Sequence, residues 1–215
     1  MNIIYKDEDI IVCVKPYGML SQSDNIGNKS AIDTLEEITN KDVFPVHRLD
    51  KTTGGVMVFA FNSKAAANLS AQITKKQFLK EYLAVIEGVP QENSDVFEDL
   101  LYFDRGKNKS YVVKKKRAGV KEAQLNLTLI ESKKIKEREC SLVKVKLITG
   151  RTHQIRVQFA SRGMSLCGDR RYGGNNLCEN IALWSYSLSF YHPASKELVN
   201  FTVPPQNEIF EYFQI

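Results

Sequence analysis

His47, Arg48 and Asp50 stand within four residues of one another, and Thr52-Thr53-Gly54-Gly55 separates them from an apolar run over residues 56–61. An imidazole, a guanidinium and a carboxylate so close together suit proton transfer, anion holding or nucleophilic attack. The run that follows has the composition of a buried strand, and charge set against core-forming sequence is costly unless paired. Asp50 is therefore either a structural ion-pair partner or a reactive group. Two further segments carry comparable chemistry: Lys80-Glu81-Tyr82-Leu83-Ala84-Val85, and Thr149-Gly150-Arg151-Thr152-His153-Gln154-Ile155-Arg156-Val157. Tyr82 offers a flat face and one hydroxyl, or plain strand core. Arg156 offers a planar fork for a carboxylate, in a site or in a simple buried pair.

The elements that would position these groups alternate short strands with few helices. Residues 3–5 and 10–14 read as a hairpin, broken after Lys15 by Pro16-Tyr17-Gly18. Ser30 is expected to cap a helix over residues 31–39, with Asp33 completing a capping box. Ser63 is expected to cap a second helix to about residue 73, and Thr152 a third to about residue 161, closed by Arg162-Gly163. Residues 77–88 have strand composition, and residues 124–130 and 142–147 alternate at period two, as strands with one wet face do. Gly168-Asp169-Arg170-Arg171-Tyr172-Gly173-Gly174 reads as a glycine-bounded loop, with strands near 182–191 and 198–203 and a short terminal helix after it. The expected fold class is α+β: a mixed, largely antiparallel sheet with flanking helices and a central active-site cleft. No repeat or linker divides the chain, so residues 1–215 are expected to form a single domain.

Bulk properties narrow the function classes. The chain of 215 residues has a formal net charge of +5 and a pI near 8.9, which permits a polyanionic partner without requiring one. The basic residues cluster at 105–109, at Lys114, Lys115, Lys116 and Arg117, at Lys133-Lys134 and at Arg170-Arg171. Taken singly each is a solvated loop; taken together they suggest a phosphate-binding face. No apolar run reaches the roughly 20 residues that span a bilayer, and charge arrives too early in the chain for a signal peptide. No membrane partner is expected, and the cytoplasm is the default location. The four cysteines include no Cys-x-x-Cys pair, and the three histidines lie far apart, so no metal site and no cofactor is expected. Thr52-Thr53-Gly54-Gly55 lacks the pattern of a phosphate-binding loop. Thr53 is expected to order the turn after Asp50 at the substrate's edge.

The three segments, in this order and spacing, resemble those of the RluA-type RNA pseudouridine synthases. Gly168-Asp169-x-x-Tyr172-Gly173 and Phe190-Tyr191-His192-Pro193 resemble later signatures of the same family, so the resemblance covers nearly the whole chain. It implies an isomerase that breaks the C1′–N1 bond of a uridine in RNA, turns the uracil and rejoins it through C5. It further implies Asp50 as nucleophile, Arg48 filling the space of the flipped uridine, and Tyr82 stacking on the base. Arg156 would pair with Asp50. Simple chemistry agrees with these roles: extrusion costs a few kcal/mol and leaves a gap to be filled, and a close guanidinium keeps a carboxylate ionised. The family usually has serine where Gly54 stands, histidine where Trp184 stands, and threonine near Leu125. Many members also carry a small N-terminal RNA-binding domain, absent from this sequence. RNA grip would then fall to residues 105–109 and to Lys114, Lys115 and Lys116.

The implied partner is an rRNA or tRNA stem-loop, bound by a monomer. Two other functions fit parts of the sequence. A non-catalytic RNA-binding or ribosome-assembly factor on the same fold would not need the complete set of Asp50, Tyr82 and Arg156. A glycoside hydrolase would want two carboxylates in motifs, and only Asp50 is so placed.

Overall fold

The structure, a computed structural model, describes residues 1–24 and 27–215. In chain order the elements are β1 (Asn2–Lys6), β2 (Ile10–Lys15), α1 (Ala31–Thr39), β3 (Phe44–Pro45), β4 (Gly54–Ala60), α2 (Ser63–Thr74) and β5 (Leu79–Glu87). Then follow β6 (Ser94–Asp104), β7 (Lys109–Val113), β8 (Val120–Ile135), β9 (Arg138–Leu147), α3 (Gln154–Ala160), β10 (Leu183–Tyr191), β11 (Leu198–Thr202) and a terminal 3₁₀ turn, Glu208–Tyr212. The α+β class and the largely antiparallel sheet are as expected. Among the described residues no helix is long and apolar enough to cross a membrane. The chain divides into two compact units, one of residues 1–80 with 184–205, the other of residues 81–183 with 206–215.

In the first unit β4 is central. It pairs antiparallel with β2 on one side, where Ile11 faces Phe59 and Cys13 faces Met57, and β1 extends this hairpin outward. On its other side the start of β4 pairs in parallel with β10, Gly54 against Trp184, and β11 returns antiparallel along β10. Every residue of β2 and β4 is buried. That explains their near-continuous apolar composition, since a strand covered on both faces has no wet side to alternate with. Ile10, Val12, Val56, Val58, Leu69, Phe78, Leu188 and Phe190 form one core cluster. Helix α1 starts as its sequence predicts: the Ser30 side chain accepts from Asp33 N, and Asp33 bonds the Ser30 N–H in return. Helix α2 starts one residue earlier than Ser63 suggests. Asn62 is the cap, its Oδ1 accepting from Ala65 N at 2.8 Å while its Nδ2 donates to Asp9. Asparagine does both jobs because it carries a donor and an acceptor.

The second unit is an antiparallel sheet in the order β5-β9-β8-β6-β7. Strand β8 runs 16 residues, well past the alternating stretch at 124–130, and a register shift between Leu129 and Glu131 bends it. Strands β6 and β7 make a long hairpin whose tip carries Arg105, Lys107 and Lys109. Helix α3 is shorter than its sequence suggests, and Thr152 does not cap it. His153 occupies the cap position in the left-handed conformation, φ 54°, with no side-chain cap bond. The Gln154 side chain closes this turn instead. Its Oε1 accepts from Thr149 Oγ1 (2.8 Å) and Arg151 N (3.0 Å), and its Nε2 donates to Gln124 O (3.0 Å).

Gly54 and Trp184 belong together. Trp184 is fully buried, its indole N–H donating to Val203 O at 2.8 Å and its ring lying 5.6 Å from that of Tyr17. A Cβ on Gly54 would meet the Trp184 ring at 2.5 Å and Lys15 O at 3.3 Å. Gly54 therefore leaves the room that the Trp184 ring fills. Gly54→Ser is expected to destabilise the protein by about 1–3 kcal/mol through overpacking, read as a lower urea midpoint. Adding Trp184→His should recover most of that loss. Equal stability of Gly54→Ser and the parent would contradict the packing account.

Candidate active site

In the first unit, Asp50 lies on the segment between β3 and β4, which is held by backbone bonds and by one side-chain clamp. Ser21 clamps the preceding residue, its hydroxyl donating to Leu49 O (2.8 Å) and accepting from Leu49 N (3.0 Å). Gly18 N donates to Lys51 O at 2.8 Å, and Thr53 N to Asp50 O at 3.0 Å. Asp50 itself is half-buried, Arg48 is exposed, and Thr53 is only 2% exposed. Thr53 thus closes the turn behind the carboxylate, and its side chain faces protein.

Lys15, which the sequence showed only as a residue before a turn, is completely buried at the end of β2. Its Nζ donates to Pro16 O (2.9 Å) and Met19 O (2.8 Å). Burial pulls its pKa down to about 8, and the negative charge of Asp50 acts in the opposite direction. The ammonium therefore sets positive potential at the candidate nucleophile. The signal in the sequence is a lysine ending an otherwise apolar strand, where a charge needs a reason to be.

His47 is not placed to act as a base. Its Nε2 accepts from Val58 N at 3.2 Å, and its ring lies 5.6 Å from that of Phe78. Burial, helped by the charge of Lys80, lowers its pKa to about 3, so the imidazole is neutral at neutral pH. It splices the motif onto β4.

In the second unit, Tyr82 lies on β5 opposite Val145, 5% exposed. Arg156 lies on α3, also 5% exposed, and makes a bidentate pair with Asp169: Nε to Oδ2 at 2.7 Å and Nη2 to Oδ1 at 2.8 Å. Asp169 is 3% exposed. Two charges so enclosed hold only because the fork satisfies both carboxylate oxygens. Asp169 stands in a quoted motif of the sequence, yet nothing in its spacing named its partner. The loop that delivers it is tight: a Cβ on Gly174 would meet Leu166 O at 2.0 Å and Asp169 N at 2.8 Å, so only glycine fits.

Tyr172 packs beside this pair. Its ring lies 5.1 Å from the Arg156 guanidinium and 5.0 Å from Lys109 Nζ. Its hydroxyl accepts from Ser110 N (2.8 Å) and shares a hydrogen bond with His153 Nδ1 (3.0 Å). Burial raises the Tyr172 pKa above the usual phenol value, so the hydroxyl stays protonated. Lys114, Lys115 and Lys116 are all exposed on the turn between β7 and β8, and Lys116 pairs with Glu122 at 2.5 Å. Arg171, counted by sequence among the basic clusters, donates to Lys107 O (3.1 Å) and Asn108 O (2.9 Å) and so braces the hairpin tip. All four cysteines are free and buried.

Known proteins match this chain along most of its length. Residues 9–161 match the sequence model of the family described as RNA pseudouridylate synthase. The chain is 32% identical to tRNA pseudouridine synthase C of Haemophilus ducreyi, over 93% of this chain and 88% of that protein. It is also 32% identical to the dual-specificity RNA pseudouridine synthase RluA of Vibrio parahaemolyticus, over 99% of this chain and 88% of that one. The fold matches human RNA pseudouridylate synthase domain containing 1 with a TM-score of 0.78 and 22% identity, over 95% of this chain and 83% of that one.

The state of His47 has a measurable consequence. Its folded pKa, about 3, lies below the unfolded value of about 6.5, so the unfolded chain binds its proton first. The His47 contribution to stability is full above pH 6.5 and is lost as pH falls toward 3. Urea midpoints should drop between pH 7 and pH 4.5, and His47→Gln, which keeps an acceptor, should flatten that slope. An unchanged slope in the variant would place the titration elsewhere.

Proposed function

The chain belongs to the RNA pseudouridylate synthase family, an isomerase family acting on RNA, and on that premise we propose that Asp50 is its nucleophile and that residues 1–215 act as one catalytic domain. The matched residues 9–161 run through both compact units, which supports the single-domain reading. The observation that carries the proposal is the Asp50 turn: its backbone is held by the Ser21 clamp on Leu49 and by the Thr53 amide on the Asp50 carbonyl, and the buried Lys15 ammonium acts on the Asp50 charge. A binding module needs no such construction, and the family assignment favours the catalyst over the non-catalytic RNA factor.

In the proposed reaction Asp50 acts as nucleophile while the C1′–N1 bond of the target uridine breaks. The freed uracil turns and bonds through C5 to C1′, which releases the Asp50 carboxylate; the proton on C5 passes to solvent and N1 takes one up. Tyr82 is the face against which the base is held, and Arg156 keeps Asp50 charged and aimed. Arg48, exposed on the segment before Asp50, fills the gap left in the RNA stack. Thr53 holds the turn. Lys114, Lys115 and Lys116, with the tip of the β6–β7 hairpin, grip phosphates. No cofactor takes part. The substrate is structured rRNA or tRNA, bound by a monomer; four buried free thiols suit a reducing compartment such as the cytoplasm.

Asp50→Asn is expected to fold, to bind RNA with nearly parental affinity and to release no tritium from RNA labelled with 5-³H-uridine. Retained release would remove Asp50 from the nucleophile's role. Reversing charge at Lys114 and Lys115 should weaken RNA binding and make it less salt-dependent, with a shallower slope of log affinity against log salt. Unchanged affinity and slope would locate the grip elsewhere.

A further inference from the structure

The hairpin of β6 and β7, the loop that carries Asp169, and helix α3 meet at one side chain. Tyr172 accepts a hydrogen bond from Ser110 N on β7, and Ser110 is itself buried. The same hydroxyl shares a bond with His153 Nδ1 at the start of α3, and its ring packs with Leu101, Ala123 and Val157. The ring meets two cations, Lys109 of the hairpin and Arg156 of the helix, at 5.0 and 5.1 Å. Tyr172 N donates at 3.1 Å to the backbone carbonyl of Asp169, the same residue whose carboxylate forks Arg156. Two further bonds fasten the hairpin to the same place: Ser110 Oγ to Thr152 O at 2.6 Å, and the Arg171 guanidinium to the carbonyls of Lys107 and Asn108.

We propose that Tyr172 is a positioning residue, fixing the Arg156 guanidinium and tying it to the β6–β7 hairpin through its hydroxyl. This rests on the reading of Arg156 as part of the catalytic machinery. Asp169 fixes the plane of the guanidinium on one edge, and the Tyr172 ring packs beside the remainder. The ring is in turn located by its hydroxyl, because the buried N–H of Ser110 has to find an acceptor and the tyrosine supplies it. Without the hydroxyl the ring keeps its hydrophobic contacts but loses its anchor on the hairpin. Arg156 would keep its charge and lose its exact aim, and a misplacement of that kind reduces turnover without weakening substrate binding. The hairpin's basic tip then serves two ends: it touches RNA, and its seat sets the arginine.

The test uses the full chain and four proteins: parent, Tyr172→Phe, Arg156→Lys and the double variant. Two quantities are measured for each, the affinity for RNA by filter binding and the single-turnover rate of tritium release at saturating enzyme. Tyr172→Phe keeps the ring and its packing, and a thermal melt establishes that it is folded. Its affinity should stay within about twofold of the parent while its rate falls about ten- to a hundredfold. The double variant should be little slower than Arg156→Lys, because the hydroxyl acts through the arginine and the two losses share one cause. A parental rate for Tyr172→Phe, a loss confined to affinity, or losses that multiply in the double variant would each overturn the proposal. If Arg156→Lys itself turns over at the parental rate, the catalytic reading of Arg156 fails and this inference fails with it. An impaired Arg156→Lys beside a parental Tyr172→Phe sinks only the inference.

Discussion

A charge set against a hydrophobic sheet has to be answered by groups beside it, and this constraint shapes both units of the protein. In the first unit it acts at the end of β2 and the entry to β4, two strands buried along their whole length. Lys15 is fully enclosed there, and the backbone carbonyls of Pro16 and Met19 accept hydrogen bonds from its ammonium. Those carbonyls belong to the turn that also presents Gly18 N to Lys51 and Ser21 to Leu49. Housing the ammonium and holding the Asp50 segment are thus one construction. In the second unit the same constraint acts on Arg156, and Asp169 answers it with both carboxylate oxygens. A fork of that geometry fixes orientation as well as charge, which is what a catalytic guanidinium needs.

Much of the fold was legible in the sequence because local rules governed it. Ser30 with Asp33 reads as a capping box and is one, since both bonds lie within four residues of chain. The period-two stretch at 124–130 lies on a strand with one wet face, whereas no residue of 142–147 is exposed, and the buried runs of β2 and β4 are apolar apart from Lys15. Legibility fails where a partner lies far along the chain. Asn62 outcompetes Ser63 as a cap because Asp9, 53 residues earlier, holds its amide. Thr152 is diverted from capping α3 by the Ser110 hydroxyl, which takes its carbonyl, and by Gln154, which closes the turn. The left-handed backbone at His153 carries no sequence signature at all.

The site divides the same way. Motifs singled out Asp50, Arg48, Tyr82 and Arg156 as candidates, and the resemblance those motifs carry supplied their expected roles. Their supports were not announced. Ser21 lies 28 residues from Leu49, and Asp169 lies 13 from Arg156, so neither pairing follows from spacing. Lys15 was visible only as an oddity in an apolar strand. Gly54 and Trp184 looked like two independent departures from the family pattern. Their contact makes them one packing feature: the Trp184 ring fills the space that a side chain at position 54 would need.

The proposed chemistry depends on Asp50 acting on uridine in RNA. The most direct measurement is a map of pseudouridines in total RNA from cells lacking the gene, compared with the same cells given back either the parental gene or its Asp50→Asn form. The account predicts at least one uridine that is modified only with the parental gene. A map that does not change on deletion, or that Asp50→Asn restores as fully as the parent, would contradict it.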